Sequence, residues 1–251
     1  MEVLANPNEE LQELLDDLEY EPEEVSIPNL PGGHVTVLTV DEIPLELLAS
    51  LESANAEISG RRVWPGSALL SLALCSGSLG VDISGISVVE LGAGSGLAGM
   101  CAARLGASKV VVTDGDQTSV DLARQNIQAN NLGDEVIREA RLLWGSGDET
   151  QAFLGNHTQT QGFDLVIAGD VMYKHELPPL FFETVKGLLS PEGRCLLCHL
   201  PRAGVSQGIV TDCARACGLK VEALPPIDAS DIEQYCSAEE AHKAALYCIT
   251  L

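Results

Sequence analysis

The sequence has 251 residues, of which 45% are hydrophobic, and a formal net charge of −23 at pH 7. This length suits one large domain or one domain with a short extension. So acidic a chain repels phosphate backbones and attracts basic protein surfaces, which argues against nucleic-acid binding. We expect neither a membrane span, since no stretch is long and apolar enough, nor a secretory signal at the acidic N-terminus.

The first part of the chain is the most acidic, because residues 1–60 contain 15 acidic residues and no lysine or arginine. We divide the chain into an acidic N-terminal extension (1–24), a strand and linker segment (25–60) and a main domain (61–251). Alternating residues over His34–Val40 predict a strand in the second segment. In the extension, leucines at helical spacing predict an amphipathic helix: Leu11, Leu14, Leu15 and Leu18.

From Arg61 onward, short apolar strands alternate with helices, which indicates a mostly parallel sheet covered on both faces. The loop between the last two strands has no clear helix of crossover length, so these strands should form an antiparallel hairpin. We predict a three-layer, Rossmann-like α/β fold with a seven-stranded sheet and this hairpin at its C-terminus. The predicted strands are Ile86–Leu91, Lys109–Thr113, Val136–Leu142, Phe163–Ala168, Arg194–His199, Lys220–Leu224 and Ala245–Thr250. The predicted helices begin near Pro65 and cover 96–104, 117–131, 177–189 and 204–217.

A glycine-rich turn, Gly92-Ala93-Gly94, follows the first of these strands and opens a helix. Ligands of such sheets bind beyond the carboxyl ends of the strands. The spacing that begins at Gly94 also matches a dinucleotide fingerprint, which is weak on its own. Glu90 would repel a nucleotide diphosphate but would attract the cationic amino-acid end of S-adenosylmethionine, directly or through water. The turn therefore favours S-adenosylmethionine.

Asp114 lies twenty residues after Gly94, at the end of the next strand. A carboxylate there accepts hydrogen bonds from ribose hydroxyls, in NAD as well as in S-adenosylmethionine. Asp116 is near enough to replace it, and either acid could instead cap the helix near Gln117. We assign the ribose role to Asp114.

A third motif ends the strand Phe163–Ala168, where Gly169 and Asp170 are followed by Tyr173. Glycine would let a methyl donor lie close to the backbone, and the two polar side chains could orient an acceptor amine. The alternative is that Asp170 caps the next helix and Tyr173 packs at the rim.

Trp64 and Trp144 lie outside the apolar periodicity of the core. Large aromatic side chains in such positions can stack on an adenine or wall a cofactor pocket. Ordinary packing at the edge of the core is the alternative.

Taken in order, the segments VWPGS, VELGAGSGLAG, VVVTDGD, LLWG and FDLVIAGDVMY resemble the seven-strand S-adenosylmethionine-dependent methyltransferases. More narrowly, the chain resembles the protein-lysine methyltransferase group that includes the calmodulin-lysine enzymes. The resemblance is strong over about 60–200. It implies a methyltransferase domain over 61–251 that methylates lysine in a protein substrate, one with a basic, lysine-bearing surface.

The resemblance also implies roles for individual residues. Asp170 and Tyr173 match the family's Asp-x-x-Tyr motif and would be catalytic, although Gly169 stands where the family more often has alanine. Val171-Met172 departs from the Pro-Pro of methyltransferases that act on nucleic acid or glutamine. The residues expected at the cofactor are Gly92, Ala93, Gly94, Asp114, Trp144 and Gly169, with Trp64 at its edge.

Three alternatives stay open at this stage. The acceptor could be protein histidine, a small molecule or RNA. The chain could be a cofactor-binding scaffold without catalysis, although Glu90, Asp114, Asp170 and Tyr173 are intact. It could also be a nicotinamide dehydrogenase, against which Glu90 and the C-terminal hairpin speak.

The eight cysteines and five histidines predict no metal site. Cys195 and Cys198 form a CxxC pair within a predicted strand, where positions three apart point to opposite faces. Cys213 and Cys217 are spaced to share a helix face. We expect all eight thiols to be reduced in a monomeric protein of the cytoplasm or also of the nucleus.

Overall fold

A computed structural model describes residues 19–40, 59–158, 160–202 and 204–251. The helix predicted around Leu11 to Leu18, and part of the linker predicted over 25–60, lie outside these ranges. No helix in the described ranges has the length and apolarity that a membrane span requires.

The described elements follow the predicted alternation of strands and helices. The strands are β1 (Glu21–Ser26), β2 (His34–Thr39), β3 (Ser87–Leu91), β4 (Lys109–Asp114), β5 (Ile137–Arg141), β6 (Phe163–Gly169), β7 (Leu189–His199), β8 (Lys220–Ala223) and β9 (Ala245–Thr250). The helices are α1 (Pro65–Ser76), α2 (Leu97–Arg104), α3 (Gln117–Ala129), α4 (Gly147–His157), α5 (Leu177–Leu188), α6 (Gln207–Ala216) and α7 (Ala238–Lys243). Short 3-10 turns cover Ser59–Arg61 and Ser230–Ile232.

The main sheet has seven strands in the order β5-β4-β3-β6-β7-β9-β8. Neighbouring strands from β5 to β7 are parallel, whereas β9 pairs antiparallel with both β7 and β8. The predicted seven-stranded α/β fold and its antiparallel C-terminal hairpin are therefore confirmed. The last strand of the chain lies inside the sheet, between β7 and β8, so that β8 forms the edge.

The sheet has an apolar core on each face. One core packs α1 and α2 against side chains such as Val88 and Cys198, and the other packs α5 against side chains such as Val89 and Cys195. Cys195 and Cys198 thus lie on opposite faces of β7, as predicted from strand periodicity. Burial of both thiols raises their pKa far above the ordinary range.

A two-stranded antiparallel sheet of β1 and β2 packs on the main domain. Val25 and Val37 are fully buried in the same core as α1 and α2. The side chain of Asn126 in α3 accepts a hydrogen bond from the Leu38 amide at 2.8 Å. The predicted strand at 34–40 is confirmed, but β1 was missed and crosses the boundary that the sequence placed at residue 24. Residues 25–40 therefore share the core of the main domain.

Helix α4 was also missed, for a physical reason. Only Thr150 and Phe153 of its residues are buried, so it has no apolar stripe that a periodicity analysis could find. Its N-cap, Ser146, accepts a hydrogen bond from the Glu149 amide, a local signal that the sequence does contain.

Candidate active site

A cavity of about 650 Å³ opens at the carboxyl edge of the parallel strands. The turn after β3, the end of β4, the segment after β5 and the turn after β6 all contribute to its wall. This is the position expected for a ligand of an open α/β sheet. Its lining includes Arg62, Trp64, Ser67, Gly92, Ala93, Gly94, Asp114, Leu142, Leu143, Trp144, Gly169, Asp170, Tyr173, Leu180 and Arg202. Every predicted site residue except Glu90 is in the lining.

The glycine-rich turn after β3 has a backbone that side chains would strain. Gly92 and Gly94 have positive φ angles of 63° and 51°. A Cβ added to Gly94 would also lie 3.0 Å from the Cα of Gly60. Glycine is therefore required here both for conformation and for close approach of two backbones. At Gly92 and Gly94 the turn therefore has only main-chain atoms to present to the cavity.

Asp114 holds this turn from the end of β4. One oxygen of its carboxylate accepts a hydrogen bond from the Gly94 amide and the other from the Asp116 amide, each at 3.0 Å. Burial raises the pKa of Asp114, and the backbone hydrogen bonds partly oppose that shift. Asp116 instead caps α3 by accepting from Thr118 and Ser119. The two acids therefore have different partners. Asp114 ends β4 and binds the amide of Gly94, whereas Asp116 caps α3.

Glu90 differs in position from the expected cofactor contact. Its side chain is buried behind the turn, and its carboxylate accepts a hydrogen bond from the Gly99 amide in α2 at 2.8 Å. Burial is the main reason that its pKa rises to about 8. At neutral pH the group is mostly protonated, which weakens the electrostatic argument that Glu90 attracts a cationic ligand.

Trp144 forms the wall of the cavity over the glycine-rich turn. Its ring atoms would lie 3.2 and 3.3 Å from a Cβ at Gly92, so indole and turn are in close contact. The far side of the ring packs edge-on against Phe181, with centroids 5.2 Å apart. The indole Nε1 is buried without a hydrogen-bond partner among the described residues. Packing by Phe181 therefore holds the indole as a fixed wall of the cavity.

Asp170 does not cap α5, whose N-cap is Glu176. Its carboxylate accepts two hydrogen bonds from Arg202, from Nε at 3.0 Å and from Nη2 at 2.6 Å. The Asp170 side chain is only 2% exposed, and that of Arg202 is 28% exposed. Two parallel hydrogen bonds of this kind fix the orientation of the guanidinium plane relative to the carboxylate plane. The carboxylate that we expected to orient an acceptor amine is therefore already paired with an arginine.

Sequence reasoning missed Arg202. The residue lies three positions after the end of β7, at the same edge of the sheet as Asp170 after β6. Polar side chains just beyond the carboxyl ends of neighbouring parallel strands converge on the ligand crevice. That rule, applied to β7, could have found it.

Trp64 precedes α1 at the mouth of the cavity, where two arginines lie over its ring. The guanidinium carbon of Arg62 is 3.7 Å from the ring centroid, and that of Arg202 is 4.9 Å away. Tyr173 also lines the cavity, with the Lys174 amine 5.9 Å from its ring centroid. Arg202 thus brings the predicted residues Trp64 and Asp170 together, and Tyr173 lies three positions after Asp170 in the lining of the same cavity.

Gly169 occurs where a Cβ has no room. An added Cβ would lie 2.7 Å from the Cα and 2.8 Å from the amide nitrogen of Ser67, in the first turn of α1. These are backbone atoms, so α1 itself would have to shift. The glycine is thus explained by the tight contact between β6 and α1 as well as by access to a ligand.

We expect Gly169→Ala to destabilise the fold by about 1–3 kcal/mol, the usual cost of overpacking, and to slow the reaction of the site. Urea unfolding measures the first effect. Gly155→Ala is the matched control, because Gly155 is in α4 and its added Cβ would meet nothing within 4 Å. The control should be neutral or stabilising. Equal stability of the two variants would show that α1 yields freely at Gly169.

Comparison with known proteins supports the family that the sequence motifs suggest. A family model described as lysine methyltransferase matches residues 45–211. The mouse (Mus musculus) protein named EEF1A lysine methyltransferase 3 is 34% identical over 142 residues, which cover 57% of this chain and 56% of that protein. The Danio rerio protein N-lysine methyltransferase METTL21A is 32% identical over 137 residues, which cover 54% and 58%. The chain thus spans little more than half the length of these relatives.

Solved structures show the same fold at low sequence identity. A protein from Streptococcus mutans, described as a putative SAM-dependent methyltransferase, superposes with a TM-score of 0.60 at 14% identity. The match covers 92% of this chain and 56% of that one. The fold is therefore that of the S-adenosylmethionine-dependent methyltransferases. Since the family model covers well over half of the sequence, the chain belongs to the lysine methyltransferase family.

Proposed function

We propose that this protein transfers a methyl group from S-adenosylmethionine to lysine side chains of a protein substrate. The observation that carries the proposal is that a cofactor site and an acceptor site lie in one continuous cavity. At one end lies the glycine-rich turn with Asp114, and at the other lie Asp170 with Arg202, Trp64 and Tyr173. A cofactor held at the first end would direct its reactive group toward an acceptor at the second.

The residues at the first end fit S-adenosylmethionine. Gly92 and Gly94 leave room for a ligand against the backbone, and Asp114 supplies a carboxylate for ribose hydroxyls. Leu142, Leu143 and Trp144 supply apolar walls for an adenine. The acids that line this end, Asp114 and Asp116, would repel a pyrophosphate. The remaining contacts would come from Ala93 and Gly169, with Trp64 at the edge of the cofactor, where the two ends of the cavity meet.

The second end fits a lysine acceptor. When bound, S-adenosylmethionine supplies an electrophilic methyl on a sulfonium. A lysine titrates near ~10.4 in water and must lose a proton before its nitrogen can act as a nucleophile. The apolar walls of the cavity disfavour the ammonium form. Trp64 and Tyr173 would confine the neutral amine, so that alignment supplies much of the acceleration.

The acidity of the chain supports a substrate with a basic surface. A net charge of −23 attracts a substrate with a basic, lysine-bearing surface over long range. We also propose that the protein acts as a monomer in the cytoplasm, with the nucleus as a second compartment.

The test is transfer of an isotopically labelled methyl group from S-adenosylmethionine into a cell lysate by the purified protein. We expect mass spectrometry to find the label on lysine residues of one or a few proteins. The variant Asp114→Ala should lose most of this labelling at low cofactor concentration, because it removes a carboxylate from the cofactor end. Raising the cofactor concentration should restore part of it.

Other outcomes would contradict the proposal in distinguishable ways. Label on histidine, on a metabolite or on RNA would change the acceptor. Tight cofactor binding in calorimetry without transfer to any lysate component would support a scaffold without catalysis. Binding of a nicotinamide dinucleotide in place of S-adenosylmethionine would overturn the assignment of the cofactor end.

A further inference from the structure

The acceptor end of the cavity carries an arrangement of cations that the methyl transfer itself does not require. Arg62 lies shortly before α1 and Arg202 shortly after β7. Both place a guanidinium over the ring of Trp64. Both arginines line the cavity. We call Arg62, Trp64 and Arg202 the arginine rim.

The two arginines of the rim differ in how their charge is balanced. Arg202 donates two hydrogen bonds to the carboxylate of Asp170. Arg62 is exposed and makes no ion pair with any carboxylate that the structure describes. It rests its planar guanidinium 3.7 Å from the centroid of the Trp64 ring. Stacking uses the face of the guanidinium and leaves its in-plane N–H groups for a carboxylate.

The electrostatic surroundings of Arg62 favour an additional anion. Desolvation and, next, the charge of Arg202 lower the pKa of Arg62, while Asp170 and Glu240 act in the opposite direction. Both acids already have hydrogen-bond partners. Asp170 is paired with Arg202, and the Glu240 carboxylate accepts hydrogen bonds from the Ser237 amide and hydroxyl. A further carboxylate at the rim would relieve the repulsion between the two guanidinium groups.

We propose that Arg62 is a specificity-determining residue, which binds an aspartate or glutamate side chain adjacent to the acceptor lysine. The preferred substrates are then lysines in locally acidic segments. This inference rests on the proposed function and adds a substrate class to it. It is compatible with a basic surface farther away, because long-range attraction and contact at the rim involve different distances.

The geometry of a peptide acceptor supports this assignment. A lysine that reaches into the cavity leaves its main chain at the mouth, where the rim lies. Successive residues of an extended segment are about 3.5 Å apart, so the side chains that flank the lysine pass over Trp64 and Arg62. A carboxylate there meets a stacked guanidinium that has already lost much of its conformational freedom.

The experiment uses the whole protein and synthetic peptides with one central lysine, flanked by glutamate, glutamine or lysine. We expect wild type to prefer the glutamate-flanked peptide over the glutamine-flanked one by about three- to tenfold in kcat/KM, since the contact is exposed. Arg62→Gln should abolish the preference. Arg62→Glu should reverse it in favour of lysine flanks. The cofactor KM should stay at its wild-type value in both variants.

Arg215→Glu is the matched control. Arg215 is an exposed arginine of α6, paired with Asp212 and absent from the cavity lining. The same change of charge there should leave the flank preference intact. Calorimetric cofactor binding by each variant shows that its fold is retained.

Several results would overturn the inference. Equal rates on all three peptides, with robust lysine methylation, would sink it while leaving the proposed function in place. So would Arg62 variants that raise the cofactor KM and keep the preference, because Arg62 would then belong to the cofactor. Inhibition by an RNA oligomer that disappears in Arg62→Glu, with no flank preference, would assign the rim to phosphate. A wild type that binds cofactor but methylates no lysine in peptides or lysate would overturn both proposals.

Discussion

Asp170→Asn is expected to lower the rate of methyl transfer by about a hundredfold or more. An amide cannot accept both hydrogen bonds that the Asp170 carboxylate takes from Arg202, so the arginine loses its anchor at the acceptor end. Displacing groups of a site by about 1 Å costs on the order of 10²-fold in rate. Asparagine is the right replacement because Asp170 has a φ of 64°, which asparagine adopts more readily than alanine.

The same substitution should destabilise the protein by about 3 kcal/mol, because it leaves a partly buried guanidinium without a counter-charge. This is the low end of the range for buried pairs, since Arg202 is 28% exposed. Urea unfolding gives the free energy of unfolding, and calorimetry shows whether the cofactor still binds. If the variant folds and binds cofactor but does not transfer methyl groups, the loss of activity is not caused by unfolding.

The double variant Asp170→Asn with Arg202→Gln is the decisive control. It removes both charges at once, so much of the lost stability should return. Methyl transfer should stay low, because the double variant still lacks an anchored guanidinium at the acceptor end. Recovery of both properties would show that the pair only supports the fold. Wild-type rates in Asp170→Asn alone would remove Asp170 from the catalytic assignment.

The sequence predicted the main sheet well because its strands carry strong signals. Strands β3, β4 and β6 are mostly buried and mostly apolar, and each lies within a residue or two of the prediction. Elements with weaker signals were missed. Strand β1 contains a proline and three glutamates and buries only Val25 completely. Its pairing with β2 is a long-range contact, which local periodicity does not contain.

The site shows the same division between local motifs and long-range contacts. Asp114 and Gly169 are the last residues of their strands and Asp170 follows directly, so the rule that ligands bind at the carboxyl edge was enough to find them. Arg62 and Arg202 are 140 positions apart in the sequence, and only the fold brings both over Trp64. Glu90 is the opposite case. Its motif position suggested a ligand contact, but an alternating strand side chain at that position points into the protein behind the turn.

Glu90 makes the stability of the protein depend on pH in an unusual direction. Its pKa rises from an ordinary 4.5 to about 8 in the folded protein, mainly through burial and also through the charge of Asp114. Between these values the folded state keeps a proton that the unfolded state has lost. Stability therefore falls as pH rises through this window, by up to about 1.4 kcal/mol per pH unit. A carboxylate in a surface ion pair would have the opposite effect.

Glu90→Gln should remove this dependence, since glutamine has nearly the same shape and a carbonyl that can accept the bond from the Gly99 amide. We expect the stability of the variant relative to wild type to increase by roughly 3 kcal/mol between pH 5 and pH 8. Urea unfolding at several pH values measures it. A difference that stays constant with pH would mean that Glu90 ionises normally. The charge of the residue would then be available to a cationic cofactor at neutral pH, as the sequence alone suggested.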